Sequence, residues 1–273
     1  MSLTEIVAEH LENWVLARLS KKEQHWLCLR LLQLEKKTHL KDLHVSLGLV
    51  PRVLERTELQ LSAAEIHALQ QNSGLHMQIS DWTTETAARI LLLCKYAIHD
   101  EENFGTVFKD LCQTADLRET ITLYKGLAFY PHSDVLDAQV GEGLRTNIRA
   151  VFEAIVHFNP YPNLYFDENR WNHMVLKALF IDSTLWQIHG LDERANPELA
   201  SILCDYAHER WSAHRPVSVE LWRCVGPFAG GKMLDDLLRV CRSSSINERE
   251  AGLAALKSCP DPMAQSLLSE IAP

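Results

Sequence analysis

Hydrophobic residues recur along this chain at helical spacing, and no strand-like alternation of useful length appears. Leu3, Ile6, Val7, Leu11, Trp14 and Val15 predict a helix over 2–19. Trp26, Leu27, Leu31 and Leu34 predict a second over 22–37, with Lys21-Lys22 and Lys36-Lys37 as solvated ends. Leu43 to Leu49 reads as a short segment broken by Val50-Pro51. Ser62 with Glu65 is a capping box that opens a helix, and Asn72-Ser73-Gly74 closes it. Trp82 to Tyr96 follows, with Ala87, Ile90, Leu91 and Cys94 on one face.

Short helices then recur, over residues 104–112, 117–129, 135–144 and 148–158, with breaks at Pro131 and at Pro160 and Pro162. The tail repeats the idea over 233–241 and 246–256, with a last helix after Pro260 to about Ile271. The expected class is all-α. The finer expectation is an irregular array of helical hairpins, a HEAT-like α-solenoid or right-handed superhelix. It is read as one domain over 1–273, divisible into N-terminal helices (1–80) and a hairpin array (81–273).

The stretch 167–228 is dense in tryptophan, histidine and paired charges. Asn196-Pro197-Glu198 marks a helix start, and Leu199, Ile202, Leu203 and Tyr206 form its stripe. Arg210 falls in that stripe, where a cation needs a partner: a salt bridge to a neighbouring helix, or an acidic ligand. The preceding helix, 168–180, carries Trp171, Met174, Val175 and Ala178 on one side and Leu176 and Phe180 nearly opposite. That pattern reads as central and buried, with Asn172, His173 and Lys177 as satisfied polar groups or a pocket wall. Leu144, Ile148, Val151 and Ile155 read as one helical face, with Arg145 and Arg149 on an adjacent ridge. Arg149 can pair with Glu153 four residues on, or the two arginines can hold an anion. The candidate ligand set is therefore Arg145, Arg149, Asn172, Lys177 and Arg210. Four of these are cations, and they are expected to approach one another around an anion pocket or else to form separate ion pairs.

Composition narrows the chemistry. The chain has 273 residues, is 47% hydrophobic and 23% charged, and carries a net charge of −9 with no basic run. That argues against a nucleic-acid partner. No apolar run approaches the ~20 residues of a membrane span, and the N-terminus lacks the look of a signal peptide. Seven cysteines without a C-x-x-C pair read as buried thiols in a reducing cytoplasm. Dinucleotide and nucleophile-elbow fingerprints are missing. Gly226 to Lys232 has P-loop spacing, but Met233 stands where that motif needs Ser or Thr. Asp205, His208 and Glu209 have a ligand-like spacing on one helix, yet no H-E-x-x-H is present, so no metal and no cofactor is expected. His173 and His208 are the candidate acid–base groups.

Four sequence words carry a resemblance: V-L-K-A-L-F, G-L-D-E-R-A-N-P-E-L-A, D-Y-A-H-E-R-W and R-P-V-S-V-E-L-W-R-C-V-G-P-F, with R-T-N at 145–147 before them. The chain resembles the EboA family of bacterial proteins over roughly 145–228. The resemblance implies a cytoplasmic helper in a secondary-metabolite operon. Its neighbours there resemble a UbiA-type prenyltransferase, a sugar-phosphate cyclase, a TatD-type metal hydrolase and a sugar isomerase-like protein. It supplies no catalytic residues. Two functions follow as expectations. One is an accessory protein that binds a pathway intermediate, such as an anionic small molecule, or a partner enzyme on a helical concave face. The other is an enzyme acting on a phosphorylated or prenylated cyclitol-like compound, with His173 or His208 as acid–base.

Overall fold

The computed structural model describes residues 1–36, 40–75, 79 and 81–271. Helix makes up 74% of the chain, about twice the share of an ordinary globular protein, so the fold is all-α. Among the described residues no strand forms; one isolated bridge joins Glu58 and Thr83. The chain divides into two compact units, Met1–Tyr161 and Pro162–Pro273. The helices on either side of residue 80 belong to the same unit.

The first unit runs α1 (Leu3–Arg18), α2 (Lys21–Lys36), α3 (Leu40–Val53), α4 (Ala63–Ser73), α5 (Thr84–His99), α6 (Glu101–Thr114), α7 (Leu117–Lys125), α8 (Asp134–Arg145) and α9 (Arg149–Val156). Its axis is α5. Ala87, Ala88, Cys94, Ala97 and the run Ile90-Leu91-Leu92-Leu93 are all buried, so apolar residues cover most of this helix, which takes α1, α2, α3, α6 and α7 around it. Ser62 and Glu65 make the expected capping box, and Gly74 ends α4 in the left-handed conformation at φ 71°. The expected helix end at Lys37 falls outside the described residues.

The break expected at Val50-Pro51 does not occur. α3 continues through Pro51 to Val53. A proline at 51 cannot donate to the Leu47 carbonyl, and that carbonyl accepts instead from Arg89 Nε at 3.4 Å. Arg89 is buried in α5 and also pairs with Glu85 at 3.0 Å and Glu119 at 3.2 Å. The helix thus tolerates proline because a neighbouring cation satisfies the orphaned oxygen.

The division falls inside α10 (Tyr161–Tyr165), and the second unit begins at Pro162. It holds α11 (Glu168–Phe180), α12 (Pro197–Ser212), the short α13 (Trp222–Val225), α14 (Lys232–Cys241), α15 (Ile246–Ser258) and α16 (Pro262–Ile271). α15 packs against α13, α14, α16 and the 3-10 turns that flank α13. Gly226 sets one of these contacts. A Cβ there would lie 2.5 Å from the Ala255 carbonyl oxygen and 2.8 Å from Ala255 Cα, so only glycine lets the segment meet α15. No helix among the described residues is long and apolar enough to cross a membrane.

Candidate functional site

The turn between α11 and α12, 181–196, is built by its own polar residues. Gly190 sits at φ 77°, with the Asn163 side chain packed where a Cβ would stand. Arg194 donates to the carbonyls of Pro162 (3.0 Å), Asn163 (3.2 Å) and Phe166 (2.8 Å), and its guanidinium lies 4.5 Å from the Trp171 ring centroid. Arg194 thereby ties the turn to the carbonyls at the end of α10. Asn196 caps α12, accepting from Leu199 N at 2.8 Å, and exchanges amide hydrogen bonds with Asn172 at 2.9 and 3.3 Å. Asn172 is therefore a buried structural amide that ties α11 to the start of α12.

The other candidate residues are distributed as follows. In α11, Trp171, Met174, Val175 and Ala178 are buried as the stripe requires, but His173 and Phe180 are exposed. The helix buries one face and is not enclosed on all sides. Phe180 lies outside on the edge of Tyr206, with centroids 5.1 Å apart. Lys177 is half-buried, and burial lowers its pKa. In α12, Arg210 Nε donates to the Pro216 carbonyl at 2.9 Å and its guanidinium lies 6.0 Å from the Tyr206 ring centroid.

His208 Nε2 meets Asp236 Oδ1 of α14 at 2.7 Å, and its ring lies against Trp211. Asp205 and Glu209 are exposed, and among the described residues no three His, Cys, Asp or Glu side chains converge as a metal-binding group.

Arg145 and Arg149 do not share a helix. Arg145 is the last residue of α8 and Arg149 the first of α9. Thr146 takes an extended conformation between them, and its Oγ1 accepts from Ile148 N at 3.1 Å, a local turn that competes with the helix. Each arginine is paired on its own helix: Arg145 with Glu142 at 2.5 Å, Arg149 with Glu153 at 2.7 Å.

A concave space lies elsewhere in the second unit. It is a cleft of about 380 Å³ lined by Asp192, Ala195, Val219, Arg223 and Pro227. Ala251, Ala254, Ala255 and Ser258 of α15 complete the lining. Their spacing, i, i+3, i+4, i+7, puts all four on one helical face, and their small size leaves the space open. Arg223 grips Asp192 in a fork, with Nε and Nη2 each donating to a carboxylate oxygen. Both side chains are about half-exposed, at 52% and 51%. Beside Arg223, burial pushes the Cys224 thiol up to about 12, so it offers no thiolate at neutral pH. None of the sequence-based candidates lines this cleft. Three alanines and a serine read as packing, and Arg223 lies among buried apolar residues without a helical stripe to single it out.

The profile of the EboA family, described as metabolite traffic protein, matches residues 7–226, which is more than half of the chain. The chain belongs to the EboA family. No curated protein and no solved structure matches it. The EboA match ends at Gly226, so Asp192, Ala195, Val219 and Arg223 of the lining fall inside it, and Pro227 and the α15 side fall beyond it.

Proposed function

We propose that this EboA-family protein is a non-catalytic binding protein that holds a small metabolite in the cleft between α13 and α15. The observation that carries the reading is the cleft: a volume of about 380 Å³, mostly apolar walls and one convergent charged pair. That is the size and make-up of a small-molecule site. The family's description as metabolite traffic protein supports the same reading. An enzyme would need an acid or base within hydrogen-bond reach of the bound molecule. His173 and His208 do not line the cleft, His208 is engaged by Asp236, and Asp192, the one carboxylate in the lining, is held in the Arg223 fork. The molecule held would be a pathway intermediate that the protein passes to a partner enzyme.

The test is recovery of the cargo. The protein is purified from its own host, denatured, and the released small molecules are compared by mass spectrometry with those from an Ala254→Leu variant, whose added side chain fills the cleft. One compound at near-stoichiometric yield, released by the natural chain and absent from the variant, supports the reading. Equal release from both chains overturns it.

A further inference from the structure

We infer that the cleft selects amphipathic acids: molecules with an apolar body and one acidic head group, which bind Arg223 in competition with Asp192. This inference rests on the reading of the cleft as a binding site and names the class of molecule it takes. Among the side chains that line it, Arg223 is the one cation and Asp192 the one anion. Val219, Pro227 and the alanines offer an apolar body a surface free of hydrogen-bonding groups.

The head-group preference comes from the guanidinium. Arg223 has five N–H donors, and Asp192 takes one from Nε and one from Nη2. Three donors remain in a planar array that suits carboxylate, phosphate or sulfonate oxygens. Asp192 is half-exposed, so releasing it into water strands no buried charge, and water screens even a forked pair this open. An incoming acid, partly shielded from water by the apolar walls, therefore competes on favourable terms. The Asp192 carboxylate acts as a latch that a neutral molecule has no means to displace.

The chain's net charge of −9 repels acids at long range. A preference for one therefore reports the local fork.

The experiment compares two fluorescent probes that share an aromatic body. 1-Anilinonaphthalene-8-sulfonate carries an acid, and N-phenyl-1-naphthylamine is neutral. Both are titrated into the full chain at 0.15 M salt, with circular dichroism confirming that each variant folds. Asp192→Asn should tighten the sulfonate probe about 3- to 10-fold and leave the neutral probe within twofold. Arg223→Gln should weaken the sulfonate probe about 10-fold and spare the neutral one, with Arg223→Lys in between. Ala254→Leu should weaken both. If the two probes respond alike to the changes at 192 and 223 while Ala254→Leu still weakens both, the acid preference is wrong and the cleft stands. If Ala254→Leu affects neither, the binding reading fails and the inference falls with it.

Discussion

Gly226 and Ala255 touch backbone to backbone. A methyl group at 226 would stand 2.5 Å from the Ala255 carbonyl oxygen, which cannot move without shifting α15. Gly226 has φ −49°, so backbone conformation does not require glycine here; space does. Gly226→Ala is expected to cost about 1–3 kcal/mol through overpacking. It should also move one wall of the cleft. A thermal melt with an unchanged midpoint would show that the contact is slack.

Arg194→Lys is expected to be harmful despite keeping the charge. The guanidinium serves three carbonyls at the end of α10 and lies over Trp171. A lysine ammonium cannot span those acceptors in one plane. Leaving carbonyls unpaired costs about 1–3 kcal/mol. Urea unfolding should show a lower midpoint. A natural-like midpoint would mean that water replaces the fork.

Arg89 is the least replaceable charge in the first unit. It is buried with Glu85 and also serves Glu119 and the carbonyl that Pro51 leaves free. Arg89→Met strands the Glu85 carboxylate and should cost about 3–5 kcal/mol. Pairing it with Glu85→Met should recover part of that loss. Equal stability of the single and double variants would contradict the account.

These cases separate what was legible in the sequence from what was not. Asn196-Pro197, Ser62 with Glu65, and Gly74 were legible because caps and left-handed turns are decided within a few residues. Pro51 misled because its remedy, Arg89, lies 38 positions away (89 − 51) on another helix. Arg145 and Arg149 misled because the apolar spacing of Leu144, Ile148, Val151 and Ile155 runs on across the Thr146 turn that separates the two helices. The cleft was illegible because an alanine face reads as packing until the facing segment is known. Arg194 had a signal: an arginine two residues before an N-cap, in a glycine-initiated turn.

Stability should fall in acid through one identifiable pair. The Arg18 guanidinium holds the Glu65 carboxyl down at about 2, against 4.5 in the unfolded chain. A lowered folded pKa means that the contribution is complete above about 4.5 and is lost as the pH falls through about 2. The pair is partly open to solvent, so it is worth about 1 kcal/mol. Glu65→Gln should lower stability by that amount at pH 7. The difference from the natural chain should shrink across this window. A constant difference down to pH 2 would show that the effect does not come from the ionised carboxylate.

The central claim is that a small molecule occupies the cleft. Hydrogen–deuterium exchange of the full chain, with and without the small-molecule fraction of its host, reads this directly. Slower exchange is expected in 190–196, in 219–228 and in α15, the segments that line the cleft, with the helices around α5 unchanged. No protection in these segments, or protection confined to the first unit, would contradict it.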